Sequence, residues 1–481
     1  MLPRPILDSR SDTPLYRQLS DSIKNSIQSR DLNDGQRLPA TRELAGLLGL
    51  NRTTVSAAYK LLETEGFLRG HVGRGSFVCA NPQVDWVGML PGDDARPTSP
   101  PSQSEISFSS SRPSELLFPL EDFRAACREV IDSDEAQAIL QLGSPVGYPP
   151  LRRYLLDLSL AEGCARPSDD ILITSGCQQS FDLIQRILVA NGETVLLEDP
   201  VYPGLRSVFA RAGARLTGIP VTPDGLSLEH LERALVKERP RLVVVTSSFQ
   251  NPTGATLPLE QRRALSQLVR KHGAVLVEND VYGALAYSGD PLPTVKQLDP
   301  AGDTILLRSF SKLAFPGLRV GWVVAPRTLI AKLADTKQLS DLHTDQLSQA
   351  VLLRFAESGR LAEHRSHVLA NGLERLRAAI HACESNLPAG AKFTRPQGGM
   401  SLWVRLPEPL DADDLLQRAE RRGVTYLPGK YFEVSRHEAG ALRLSFAQLT
   451  PQKIREGIAI LGQVFGSELK RARLDPAPAM V

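Results

Sequence analysis

Leu15, Leu19, Ile23 and Ile27 recur every four residues, which lays one apolar stripe along a helix near the start of the chain. A second helix is expected after Pro39, with Leu44, Leu47 and Leu48 turned inward and Gly49 supplying a left-handed stop. Asn51 then stands as N-cap to a third helix, RTTVSAAYKLLETEG, with Val55, Tyr59 and Leu62 on its buried face and Gly66 closing it. FLRGHVGRGSFV predicts two short strands around a glycine-rich tip. Residues 13–80 therefore read as three short helices and a hairpin, within a first domain taken as residues 1–80.

From residue 81 to 112 the pattern lapses into Pro, Ser, Asp and Gly, with too little apolar material to offset the entropy of ordering, and this stretch is expected to be a flexible linker. Beyond it the apolar runs DILIT, ETVLLED, RLVVVTSS, AVLVEND and TILLRSF alternate with helical segments. Such alternation predicts an α/β domain whose mostly parallel sheet is covered on both faces. After about residue 330, long helices with the strands SLWVRL and GALRLSF predict a smaller α+β subdomain. The second domain is placed at 113–468, and residues 469–481 are expected to be a disordered tail.

Composition changes this picture only in places. At 481 residues the chain exceeds the roughly 250–300 residues at which a single core stops growing, so at least two domains are required. A formal charge of +2 leaves any nucleic-acid contact to a local basic surface. The five cysteines are scattered, with no CxxC pair, which argues against a disulfide framework or a zinc site and for a reducing cytoplasm. The opening MLPRPILDSRSD has no apolar h-region, and no run approaches the roughly 18–20 apolar residues that span a bilayer, so neither a signal peptide nor a membrane span is expected.

A helix that enters a DNA major groove puts its N-terminal residues on base edges while neighbouring groups hold phosphates. The third helix begins Asn51-Arg52-Thr53-Thr54. Arg52 can form a bidentate pair with guanine, Thr53 and Thr54 suit phosphate or a thymine methyl, and Ser56 lies one turn beyond Arg52. Arg42 on the second helix is placed for the DNA backbone; Arg74, between Gly73 and Gly75, is placed for an adjacent groove. For any one of these residues alone, an ordinary solvated face is the competing reading. Together, LPATRELAGLLGLNRTTVSAAYKLLETEGFLRGHVGRGSFV resembles the GntR-type winged helix-turn-helix, with turn, recognition helix and wing in that family's order. The resemblance implies a double-stranded DNA operator as partner. It puts Arg42, Arg52, Thr53, Thr54 and Gly73 on contacting positions, with Asn51, where the family often has Ser or Thr, and Arg74 counted beside them.

Several strings in the second domain make joint sense around a phosphorylated aldehyde. Ser309-Phe310-Ser311-Lys312, with Arg319 seven residues later, offers an amine for a carbonyl cofactor and hydroxyls plus a guanidinium for phosphate. TSGCQQS follows a strand and opens a helix, which aims the amides of Cys177 and Gln178 at an anion; a plain strand-to-helix turn is the alternative. Tyr202 in EDPVYPG could stack on a ring or simply pack in the core, and Asn251 in NPTG could donate to a ring oxygen or mark a turn. VENDVY brings Asp280 and Tyr282 to a strand's C-terminal end, where a buried carboxylate can keep a pyridine nitrogen protonated; an ordinary strand-end acid competes. Arg443 in ALRLSF is a candidate fork for an amino acid's carboxylate, or a structural salt bridge.

Over about residues 113–468, SGCQQ, DPVYPG, NPTG, END, SFSK with GLRVGW, and LRLSF resemble the fold-type I aminotransferases. The resemblance implies pyridoxal 5'-phosphate as cofactor, with Lys312 as its aldimine lysine and sole catalytic residue singled out. It further implies Asp280 on the pyridine nitrogen, Asn251 and Tyr282 on the ring hydroxyl, and Tyr202 on the ring face. Phosphate would be held by Cys177, Gln178, Ser309, Ser311 and Arg319, and substrate or effector carboxylate by Arg443. One departure stands out: a single residue, Val281, separates Asp280 from Tyr282, where many aminotransferases have two.

A winged helix, a linker and this domain in series resemble the MocR or GabR-like regulators. That resemblance implies a transcriptional regulator in which the aminotransferase-like domain senses pyridoxal phosphate or an amine-bearing effector through Schiff-base chemistry at Lys312, in a homodimer. The alternative is a working aminotransferase with an appended DNA-binding domain, and residual transamination is compatible with either.

Overall fold

A computed structural model describes residues 7–8, 11, 13–29, 31–71, 75–79 and 105–474. Gly73, Arg74, residue 80 of the first domain, linker residues 81–104 and tail residues 475–481 lie outside the described residues. The chain divides into two compact units, residues 1–101 and 102–481.

The first unit contains α1 (Leu15–Gln28), α2 (Thr41–Leu48), α3 (Arg52–Thr64), β1 (Leu68–His71) and β2 (Gly75–Val78), the last two paired antiparallel. Leu19, Ile23 and Ile27 of α1 are buried with Leu44, Val55, Tyr59 and Leu62 in one core, each large apolar side chain contributing roughly 1.5–3 kcal/mol by leaving water. Leu47 differs from expectation. It stands 62% exposed, because the short α2 turns Leu44 and Ala45 inward instead. Gly49 ends α2 at φ 67°, in the left-handed conformation, and Asn51 Oδ1 accepts from the Thr53 amide at 3.0 Å to cap α3.

The second unit begins inside the stretch expected to be linker. β3 (Ile106–Ser107) pairs with Val424 and Thr425, and Phe108 is fully buried among residues more than 250 positions downstream. Ordered structure therefore starts by residue 105, because a partner distant in sequence satisfies this polar, serine-rich segment. An eight-stranded sheet follows, made of β4 (Asp169–Thr174), β5 (Thr194–Asp199), β6 (Arg215–Thr222), β7 (Gly225–Leu226), β8 (Leu242–Val245), β9 (Val275–Asn279), β10 (Ile305–Ser309) and β11 (Gly321–Pro326). Their order is β4-β11-β10-β9-β8-β5-β6-β7, parallel except for the reversed β11 and the β6-β7 hairpin. Odd-numbered Val277 and Leu307 pack on one face, with the helix Cys177–Leu188; even-numbered Leu276 and Leu306 pack on the other.

A smaller antiparallel sheet of β12 (Lys392–Phe393), β13 (Ser401–Arg405), β15 (Leu427–Pro428) and β16 (Ala441–Ser445) completes the unit, with β14 (Val424–Thr425) paired to β3. The helices Arg360–Asn386 and Pro451–Leu474 pack over it. The latter helix extends through residues 469–474, the beginning of the expected tail.

Candidate functional site

In the first unit, Arg52, Thr53 and Ser56 are exposed on the first turns of α3, Thr54 is half-buried behind them, and Arg42 is exposed on α2. The Asn51 cap fixes where α3 starts and so which side chains its free end presents. Asn51, Arg52, Thr53 and Thr54 share the start of α3, and Arg42 stands on the first turn of α2, whose apolar side packs with α3 in the same core.

In the second unit a cavity of about 400 Å³ opens at the C-terminal ends of the parallel strands, a size suited to a small ligand. At one end Gly176, at φ 81°, turns the chain from β4 into the helix Cys177–Leu188, whose first amides belong to Cys177 and Gln178. Gly176 has no room for a Cβ because the Arg319 guanidinium lies against it, and Arg319 Nη2 donates to the Ser175 carbonyl at 3.3 Å. Ser311 lines the same end. Ser309 sits behind it, with its hydroxyl donating to Ser311 Oγ at 2.9 Å and its oxygen accepting the Ser311 amide at 3.0 Å. Burial pushes the Cys177 thiol up to about 12, so it remains a neutral neighbour to an anion.

At the other end Lys312 Nζ lies 5.5 Å from the centre of the Tyr282 ring and donates to the Ser111 carbonyl at 2.8 Å. Asn251 Nδ2 donates to the Tyr282 hydroxyl at 3.2 Å, while Asn251 Oδ1 accepts from Arg443 Nη1 at 3.0 Å. Arg443 Nη2 donates to the carbonyl of Ser109. Arg443 is 4% exposed; burial pulls its guanidinium down to about 10, and its Nε has no partner. Among the described residues the guanidinium bonds an amide oxygen and a backbone carbonyl rather than a carboxylate, which suits it to an incoming anion. Tyr202, 43% exposed, borders the cavity and leans over Gly204, where any Cβ would strike its ring.

Asp280 departs from expectation. Its Oδ2 lies 2.9 Å from Arg308 Nε, and Arg308 also pairs with Glu162. Burial pushes the Asp280 carboxyl up and the Arg308 guanidinium opposes that shift; Arg308 itself is held firmly protonated. Side chains alternate along a strand, so Glu278 and Asp280 leave one face of β9 while Val277 and Asn279 leave the other. Asn279 is thus the residue that lines the cavity, and it also has the two-residue separation from Tyr282 that Asp280 lacks. Its Nδ2 donates to Thr246 Oγ1 at 3.3 Å, and its buried Oδ1 has no partner among the described residues. Sequence reading missed Asn279, Thr246 and the segment Ser109–Arg112, all of which border the cavity.

These residues fit pyridoxal phosphate: an anion cradle at the Gly176 turn, an amine at Lys312, paired donors at Asn251 and Tyr282, and unpartnered buried atoms on Asn279 and Arg443. Residues 105–461 match the family described as aminotransferase class I and II, and residues 15–78 match the bacterial regulatory proteins of the gntR family. The transcriptional regulator TauR of Rhodobacter capsulatus is 30% identical over 92% of this chain and 95% of its own length. The probable rhizopine catabolism regulatory protein MocR of Rhizobium meliloti is 29% identical, over 96% of this chain and 95% of its own. The chain is a MocR-type regulator. Its second unit belongs to the aminotransferase class I and II family, and among solved structures it is similar to the Pyrococcus horikoshii kynurenine aminotransferase, a complex with PMP. That likeness has a TM-score of 0.74 and 35% identity over 76% of the regulator and 91% of the enzyme. The family and its structural neighbours indicate pyridoxal phosphate as the regulator's cofactor. Among the described residues no helix is long and apolar enough to cross a membrane.

Proposed function

We propose that this MocR-type regulator binds an operator through the first turns of α3 and tunes that binding with an amine or amino-acid effector received at the cofactor site. Within the second unit, the observation that supports this most is the meeting of Lys312, Tyr282, Asn251 and Arg443 around one cavity. The cofactor supplies a carbonyl that reacts with amines and a ring that can draw off electron density.

Lys312 presents the amine that holds the cofactor. Cys177 and Gln178 offer amides, and Ser311 and Arg319 offer a hydroxyl and a guanidinium, to its phosphate; Ser309 positions Ser311. Asn251 and Tyr282 orient the ring hydroxyl, Tyr202 covers the ring, and Arg443 receives an effector carboxylate. Asn51, Arg52, Thr53 and Thr54 form the DNA-facing turn, with Arg42 of α2 beside them for the DNA backbone. A homodimer in the cytoplasm completes the reading, in keeping with its DNA target and its free cysteines.

A working aminotransferase with an appended DNA-binding unit is the second reading, favoured by the presence of Lys312, Asn251 and Arg443 in one site. Supplying amino acid and keto acid together separates the two. A sensor changes its visible absorbance while turning over far more slowly than the enzyme median of roughly 10 per second; turnover near that value establishes the enzyme.

A further inference from the structure

We propose that the neutral carboxamide of Asn279 serves as the ring-nitrogen partner of the cofactor, so that the site exchanges amines without the negative charge that turns the ring into a strong electron sink. The inference rests on the proposed reading of Lys312 and its cavity as a pyridoxal phosphate site.

In pyridoxal phosphate the ring nitrogen stands opposite the carbon that carries the carbonyl. With that carbonyl at Lys312, the hydroxyl at Asn251 and Tyr282, and the phosphate at the Gly176 turn, the nitrogen is directed toward the ends of β8 and β9. Thr246 and Asn279 border the cavity there, and Asn279 Oδ1 is buried without a partner among the described residues. A carboxamide can accept from a protonated ring or, rotated, donate to an unprotonated one, because the Thr246 hydroxyl can serve either arrangement. It cannot neutralise a buried positive charge as a carboxylate does.

The surrounding charges favour the unprotonated ring. Arg319 and Arg443, whose guanidinium groups stay charged, border the cavity. Asp280 leaves the other face of β9, where it pairs with Arg308 at 2.9 Å, a guanidinium it shares with Glu162. Glu278 shares that other face, accepting from Ser247 Oγ and the Val295 and Lys296 amides, and burial raises its pKa. Glu198, behind Thr246, accepts the Thr246 amide at 3.1 Å, and burial pushes its carboxyl up to about 8. No carboxylate lines the cavity among the described residues to pair with a protonated ring, and amine exchange at Lys312 proceeds without strong activation of the bound amine's C–H bond. An amine is thereby held and reported more readily than it is converted.

The test is the ¹⁵N NMR spectrum of the full-length protein loaded with pyridoxal phosphate labelled at the ring nitrogen. A pyridine resonance is expected in the wild type, and protonation would move it far upfield. Asn279→Asp should produce that upfield pyridinium resonance, and Asp280→Asn should leave the wild-type signal in place. A pyridinium signal in the wild type overturns the inference alone and leaves cofactor binding intact. Failure to take up the cofactor at all, seen as no visible absorbance dependent on Lys312, overturns the underlying reading as well.

Discussion

Lys312 Nζ donates to the Ser111 carbonyl at 2.8 Å, so the amine of the cofactor site is tied to the segment that leads back along the chain toward the DNA-binding unit. Arg443 holds the same segment through the Ser109 carbonyl. On the proposed reading, cofactor held at Lys312 and a carboxylate held at Arg443 would compete with these two bonds. Lys312→Ala should abolish the visible absorbance of the bound cofactor and the ligand dependence of operator affinity, a coupling of about 1–3 kcal/mol or 5–150-fold. Basal operator binding should survive, since α3 and its cap lie in the other unit. Titrating operator with and without ligand on both proteins checks this; a variant that responds like the wild type would move sensing away from Lys312.

Arg52 stands exposed on the first turn of α3, behind the Asn51 cap. Arg52→Ala should cost about 1–3 kcal/mol of specific binding and relax preference at one base pair. Unchanged affinity and unchanged specificity in a mobility-shift assay would remove α3 as the reading element.

Arg443 is a buried guanidinium whose Nε is unpartnered. Arg443→Gln should weaken spectral titration by amino acids by about 2 kcal/mol, the scale of a charge-assisted hydrogen bond, and leave amines without a carboxylate nearly unaffected. Equal weakening of both classes would make Arg443 a structural residue.

Glu198 carries a pH dependence whose sign is fixed by burial. An unfolded glutamate loses its proton near pH ~4.3, whereas burial holds the Glu198 proton to about pH 8. Between those values the folded state binds the extra proton, so this residue's contribution to stability falls as pH rises, by up to about 1.4 kcal/mol per unit. Glu198→Gln has no such proton, so its stability relative to wild type should improve from pH 5 to pH 8. Denaturant unfolding at both pH values measures the difference, and an invariant difference would contradict the assignment.

Much of this was legible in the sequence because local physics decided it. The four-residue spacing of α1, the Asn51 cap and the apolar parallel strands all settled as their chemistry predicts. The string VENDVY suggests Asp280 for the cavity only when its strand alternation is ignored. Counting from Val277, which faces the same side as Leu307, puts Asn279 on the cavity side, and the Tyr282 spacing carried the same signal. Composition alone makes Ser109–Arg112 look like linker, since its order comes from β14, Arg443 and Lys312, none of them near in sequence. Leu47 fits a helical stripe yet lies outside, because two turns of helix bury only a narrow face.

The most direct test of the central claim is operator affinity of the wild-type protein at one fixed salt concentration, since phosphate contacts make affinity salt-dependent. It should be measured without ligand, with pyridoxal phosphate, and with pyridoxal phosphate plus each amine or amino acid that shifts the cofactor's absorbance. Affinity should change about 5–150-fold with at least one such ligand. Affinity and transcription output that stay constant with every ligand that alters the spectrum would contradict the sensor account and favour an enzyme carrying a DNA-binding unit.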